Sequence, residues 1–183
     1  MAGFKSSLEA EFRIDMIRLG DYPFLKRNRQ RLLTPRNISE VLLDWAPPAV
    51  RTTEGEFIFI SATQKDPLRR FAERFHLRQP ARVDVWALLL EPFLDTEFDD
   101  EHQKATWKRL ADSGVPADEV KKIRTLVGNR MYALGFATWE WVHFGLYDVL
   151  SQMRPHTWTT GWTFARFYAY AMELANRGAA SGR

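Results

Sequence analysis

Apolar side chains recur at helical spacing along most of this chain. In the N-terminal part, positions three or four residues apart include Leu8, Phe12, Met16 and Leu19, and later Ile38, Val41, Leu42 and Trp45. This spacing is typical of one face of an α-helix, so it predicts helices over 7–19 and 38–45. Between these two predicted helices, Asp21 and Pro23 are typical of the N-cap and first turn of a further helix. The pattern therefore predicts three short helices before Pro47.

A different pattern follows Pro47. Residues 57–60 are a run of aromatic and β-branched side chains, which favours a β-strand. Glu54-Gly55 is typical of a turn, so residues 49–53 and 56–62 are predicted to pair as a β-hairpin. This hairpin is the one clear strand signal in the pattern.

Helical spacing returns after the hairpin. The predicted helices include 66–77, 99–113, 136–152 and 162–177. The predicted fold is therefore mainly α, a helical bundle of about seven or eight helices with one small β-hairpin near residues 49–62. We expect residues 1–62 to form a helical subdomain with the hairpin, packed as one unit with a helical bundle of residues 63–183.

The order of the first elements also matches a known DNA-binding arrangement. Three short helices followed by a hairpin is the element order of a winged helix-turn-helix domain, in which the hairpin is the wing. The N-terminal part is therefore predicted to be winged-helix-like, with a plain helical subdomain as the alternative.

Positive charge is concentrated in one stretch of the predicted N-terminal subdomain. Its cationic side chains are Lys26, Arg27, Arg29, Arg31 and Arg36, and the hairpin adds Arg51. Residues 81–120 are net acidic, although the whole chain has a formal net charge of +3. Clustered cations bind phosphates and carboxylates. The basic stretch therefore predicts contact with nucleic acid or an acidic partner, and the alternative is pairing with the acidic middle of the chain.

The acidic middle contains one regular stripe of carboxylates. Asp84, Glu91 and Asp95 lie on one face of a helix predicted over 82–98, which Pro92 is expected to kink. Clustered carboxylates suit a hard cation such as Mg²⁺, whereas charged stripes on helices are more commonly solvated faces. We predict a solvated face here.

The segment 136–150 is apolar nearly all round but contains Glu140 and His143. On a helix these two share a stripe with Tyr147, so they are predicted to lie in a buried pocket where each needs a polar partner. The Glu-x-x-His spacing is also how helical bundles present ligands to metal ions. Three interpretations stay open: a structural polar pair, a metal-free functional pocket, and a metal site that also uses Glu91.

Composition limits the remaining choices. The chain has 183 residues, no cysteine and seven tryptophans, so disulfides and thiolate metal sites are excluded. The first residues lack the pattern of a signal peptide and no apolar stretch is long enough to span a membrane, which predicts a cytoplasmic protein without membrane contact. The aromatic side chains of the last helices are expected to form a ligand pocket or a homodimer interface.

The sequence carries no nucleotide-binding or nucleophile motif. The leading hypothesis is therefore a non-enzymatic binding protein without a cofactor, a regulatory or assembly factor that contacts nucleic acid or an acidic partner through the basic stretch. The alternative is a metal-binding or enzymatic helical-bundle protein that uses Glu140 and His143.

Overall fold

The chain folds as a mixture of helices and antiparallel sheets, so the prediction of a mainly α bundle is wrong. The computed structural model describes residues 8–20, 22–24, 32–94, 99–137, 143–154, 163–178 and 180–181. These residues contain six α-helices and eight β-strands. They divide into two compact units, residues 1–82 with 180–183 and residues 83–179. All sheets lie in the first unit, which we call the sheet unit; the second is the helical unit.

The first sheet stands where a helix was predicted. Strands β1 (Ala10–Phe12), β2 (Ile17–Leu19) and β3 (Leu32–Leu33) are antiparallel in the order β1-β2-β3. A spacing of four residues places side chains on one face of a strand as well as of a helix, so the pattern was ambiguous. The turn closes where the amide of Arg13 donates to the carbonyl of Met16 at 2.8 Å.

The second sheet contains the predicted hairpin. Strands β5 (Ala49–Thr52) and β6 (Phe57–Phe59) pair as predicted, and β4 (Ile38–Leu42) adds a third antiparallel strand beside β5. The third predicted helix is therefore a strand, and the winged-helix prediction that depended on it is wrong; DNA binding has no support in the described residues. The period-2 alternation is missing from β4 because Glu40, Val41 and Leu42 are all buried.

Side chains close the edges of these sheets. The amide group of Gln64 bonds both the N–H and the C=O of Ala10, at 2.8 and 2.7 Å, as a neighbouring strand would. The hydroxyl of Tyr22 accepts from the amide of Phe59 at 2.9 Å. Blocked edges do not offer free backbone groups to another strand.

The predicted helix 66–77 is present as α1 (Lys65–Arg74), which packs on β1 through Phe71 and Phe12. After it, β7 (Ala81–Arg82) pairs with β8 (Ala180–Ser181), a pairing that links distant parts of the sequence. The carboxylate of Glu40 accepts from the guanidinium of Arg82 at 3.0 Å, and both side chains are buried.

The helical unit consists of α2 (Val85–Leu90), α3 (Asp100–Asp112), α4 (Ala117–Ala137), α5 (Leu146–Met153) and α6 (Phe164–Arg177). Asp99 caps α3 and Thr163 caps α6 through their side chains. The buried Trp86 donates its indole N–H to the carbonyl of Ala171 at 3.0 Å, which joins α2 to α6. Within the part of the chain that the structure describes, no helix is both long and apolar enough to cross a bilayer.

Two predicted helices are shorter than expected. Within the described part of the helix predicted over 82–98, α2 ends at Leu90 and passes into a 3₁₀ turn over Glu91–Phe93, because Pro92 interrupts it. Of the helix predicted over 136–152, residues 136–137 end α4 and residues 146–152 lie in α5, while residues 143–145 are not helical. His143 and Tyr147 therefore do not share a helical stripe.

Candidate acid–base site

Asp84 joins the first turns of two helices. One carboxylate oxygen, Oδ1, caps α2 by accepting from the amides of Trp86 and Ala87 at 3.0 and 3.4 Å. The other oxygen, Oδ2, accepts from the amide of Leu146, the first residue of α5, at 3.3 Å. Since both oxygens accept hydrogen bonds from backbone N–H groups, the carboxylate is held in a fixed orientation.

Asp148 holds the same backbone turn from the other side. Its Oδ2 accepts from the amide of Gly145 at 2.8 Å, which caps α5. The side chain is buried, with 5% of the residue exposed. The consecutive amides of Gly145 and Leu146 therefore donate to two different carboxylates, Asp148 and Asp84.

Gly145 is the point on which these groups converge. A Cβ atom at Gly145 would lie 2.6 Å from Oδ2 of Asp84, so a glycine is required for the carboxylate to approach the backbone. The same point lies 3.8 Å from Nε2 of His143. Asp84 Oδ2 and His143 Nε2 thus lie within 4 Å of one position, and His143 is exposed to solvent.

The surroundings change the protonation of both carboxyl groups. Burial raises the pKa of Asp84 to about 6, against the lowering effects of the Leu146 hydrogen bond and of the charge on His143. Burial also raises the pKa of Asp148 to about 6; the Gly145 hydrogen bond lowers it and the nearby charge of Asp84 raises it. Asp84, near the exposed imidazole of His143, and Asp148, near Asp84, can therefore take up and release protons near neutral pH.

The predicted pocket residues are only partly described. His143 lies beside Asp84, and Tyr147 is a half-buried residue in the first turn of α5. Glu140 lies outside the described residues. Glu91 lies at the end of α2 opposite Asp84, roughly 10 Å along the helix axis, and it contacts α3 instead, where its carboxylate accepts from the hydroxyl of Thr106 at 2.7 Å.

Glu91 forms a second polar cluster with other partners. Its Oε1 lies 3.4 Å from Nε2 of His102. Arg124, whose guanidinium lies 5.0 Å from the ring centroid of Trp107, donates to the carbonyl of Leu89. Among the described residues, no group of three His, Asp or Glu side chains is arranged to hold a metal ion.

The predicted basic surface lies largely outside the described residues, which do not include Lys26, Arg27, Arg29 and Arg31. Arg36 is exposed in a 3₁₀ turn over Pro35–Asn37. Arg51 is half-buried on β5 and donates to the hydroxyl of Ser39 at 3.1 Å.

Sequence reasoning missed the roles of Asp84, Gly145 and Asp148. Asp84 was assigned to an exposed helical stripe, whereas it is the N-cap of α2. An Asp placed before an apolar run and a Gly-x-x-Asp at the start of another are local signals of helix N-termini. Their meeting in space is not a local property, so the sequence pattern did not indicate it.

Comparison with known proteins adds no further assignment. The chain matches no protein-family model, and neither the curated proteins nor the solved structures compared with it match it significantly.

Proposed function

We propose that the helical unit carries an acid–base site for a small polar substrate. In this proposal Asp84 and His143 exchange protons with the substrate, and Asp148 holds the turn that carries His143 and Gly145. The observation that carries the proposal is the convergence of Asp84 Oδ2 and His143 Nε2 on one position beside Gly145.

The protonation of Asp84 supports this role. A carboxyl group with a pKa of about 6 is present in both its acid and its base form near neutral pH, which is the condition under which proton transfer is most effective. An ordinary N-cap carboxylate is exposed and fully ionised at that pH. Perturbed carboxyl groups beside a histidine are typical of functional sites.

The position of the site on helix ends supports it as well. The backbone amides of residues 86, 87 and 146 fix the Asp84 carboxylate, and α2 is anchored in the unit through its buried Trp86. Catalytic groups need such fixed positions because small displacements reduce the rate strongly. His143, in contrast, is exposed and accessible to a substrate.

A fragment-binding experiment tests the proposal. Polar fragments such as small carboxylic acids, amides and phosphate esters are added to the ¹⁵N-labelled full chain, and amide resonances are followed by NMR. We expect fragments to shift the amides of Gly145 and Leu146 in the wild type and in His102→Gln, but not in His143→Gln. His102 is the matched control because it is also exposed in the helical unit and lies near a different carboxylate, that of Glu91.

Turnover is then measured on the fragment classes that bind. We expect at least about a hundredfold loss of turnover in His143→Gln and in Asp84→Asn, the typical contribution of general acid–base catalysis. Asn at position 84 keeps an oxygen that can cap α2. Fragments that bind only away from residues 143–148, or turnover that survives both substitutions, would contradict the proposal.

The basic-stretch hypothesis stays a prediction. Most of the residues that would carry it lie outside the described part of the chain, and contact with an acidic partner through them is tested by charge reversal at Arg27 and Arg29. If binding is unchanged by those substitutions, the basic-stretch hypothesis is contradicted.

A further inference from the structure

Helix α6 packs on both helices that carry the candidate site, α2 and α5. Its first contact with α2 is the hydrogen bond from the indole N–H of Trp86 to the carbonyl of Ala171, at 3.0 Å. The ring of Trp86 also packs against that of Phe167, with 6.0 Å between the ring centroids. Since the backbone amide of Trp86 holds the carboxylate of Asp84, a movement of Trp86 along α6 would move that carboxylate.

The second contact lies at the C-terminal end of α6. Gly178 is buried, and a Cβ atom there would lie 2.2 Å from the carbonyl oxygen of Val83 and 3.2 Å from Cγ2 of Val85. Val83 and Val85 are the neighbours of Asp84 in the sequence. The peptide bond before Asp84 and the side chain after it therefore both pack against the space that Gly178 leaves open.

Space rather than backbone conformation requires a glycine at position 178. A glycine at the end of a helix commonly adopts a positive φ that other residues avoid. Gly178 instead has φ −57° and ψ 117°, a combination that residues with side chains adopt readily. What the glycine provides is the close approach of Val83 to α6.

We propose that Gly178 and Trp86 are positioning residues of the acid–base site, through which α6 sets the distance between the carboxylate of Asp84 and the turn that carries His143. This inference rests on the proposed function, because it assigns the support of that same site. Since α6 packs on α5 as well as on α2, one helix supports both halves of the site. Such support matters because a misplacement of about 1 Å can reduce a catalytic rate by about a hundredfold.

The test is the titration of the Asp84 carboxyl carbon by ¹³C NMR in the full chain, for the wild type and for Gly178→Ala, each with and without His143→Gln. The new methyl group pushes the carbonyl of Val83 away, so Asp84 becomes less buried and its midpoint should fall from about 6 towards 3.8. In the wild type, His143→Gln should raise the midpoint. In Gly178→Ala this rise should shrink at least about twofold, because distance and solvent weaken the interaction of the two charges.

Gly20→Ala is the matched control. A Cβ atom at Gly20 also meets a backbone carbonyl oxygen, that of Glu9 at 3.0 Å, but it does so in the sheet unit. This substitution should leave the midpoint of Asp84 unchanged, and the effect of His143→Gln as well. A purely structural disturbance of the chain is thereby separated from a displacement of Asp84.

Trp86→Phe is a milder variant that keeps the test valid should Gly178→Ala fail to fold. It retains an aromatic ring beside Phe167 but removes the donor to the carbonyl of Ala171. The midpoint of Asp84 should shift in the same direction as in Gly178→Ala, by a smaller amount.

The inference is overturned by a folded Gly178→Ala that titrates like the wild type, by a Trp86→Phe that does so, or by an equal shift in Gly20→Ala. With a wild-type midpoint near 6, these results contradict the positioning role alone. A wild-type midpoint near 3.8 that does not respond to His143→Gln contradicts the acid–base site itself, and the positioning role with it.

Discussion

The carboxylate of Asp84 fills the space beside Gly145 that a side chain would occupy, with Oδ2 only 2.6 Å from the position of a Cβ atom. The same oxygen accepts the amide of Leu146, so the first turn of α5 is attached to the cap of α2. A side chain at position 145 would therefore displace Asp84, break its hydrogen bonds, or move the turn that carries His143.

Gly145→Ala should destabilise the protein by about 1–3 kcal/mol, because the new methyl group meets an oxygen of a carboxylate group that three backbone amides hold in place. The measurement is urea unfolding followed by circular dichroism. Gly128→Ala is the control: a Cβ there meets the edge of Phe93 at 3.4 Å, and alanine favours the helix interior, so we expect no loss.

A double-mutant cycle separates this contact from other effects of alanine. Asp84→Ser removes the clashing carboxylate but keeps a side-chain oxygen that can cap α2. Combined with Gly145→Ala, it should cost less than the sum of the two single substitutions, by about 1 kcal/mol or more. Strict additivity would show that the two residues do not interact.

The pH dependence of stability follows from the raised pKa values. Asp84 and Asp148 hold their protons up to about pH 6 in the folded chain, against a usual value of 3.8, so the folded state binds protons more tightly than the unfolded state. Their stabilising contribution is complete below pH 3.8 and is lost as the pH rises through about 6.

The check compares the wild type with Asp148→Asn, which cannot titrate at this position. Between about pH 4 and 7.5, the free energy of unfolding of the wild type should fall by ~2 kcal/mol more than that of the variant. Parallel pH profiles would show that Asp148 titrates at its ordinary value.

The buried ion pair of the sheet unit gives an independent prediction. Glu40 and Arg82 have only 4% and 9% of their side chains exposed. Glu40→Leu removes the carboxylate that balances the charge of the buried guanidinium, so it should cost about 3–5 kcal/mol, whereas Glu40→Met/Arg82→Met should recover most of that loss. The same Leu substitution at the exposed Glu11 should have little effect on unfolding. An equal loss at both positions would contradict this account.

The sequence predicts the elements whose signals are local. The hairpin 49–62 was found from its β-branched run and turn, and α3 and α6 from their helical spacing and terminal signals, because capping and turn chemistry act over a few residues. Strands β1 and β4 were missed because spacing alone does not separate a strand from a helix. In β4, Glu40 also breaks the alternation of apolar and polar residues, since it is buried in an ion pair with Arg82, far away in the sequence.

The candidate site was predictable only in part. His143 was singled out because a histidine in an apolar segment needs a partner, but the partners considered were Glu140, on the assumption that one helix carries both, and Glu91. The non-helical residues 143–145 place it beside Asp84, which precedes it by about sixty residues. Such contacts depend on tertiary packing, which no short-range pattern encodes.

The most direct test of the acid–base site is the titration of the Asp84 carboxyl carbon by ¹³C NMR. We predict a midpoint near pH 6 in the wild type and a higher midpoint in His143→Gln, since the charge of His143 lowers the pKa of Asp84. His102→Gln should leave the midpoint unchanged. A wild-type midpoint near the ordinary value of 3.8, or one that does not respond to His143→Gln, would show that Asp84 is only a helix cap.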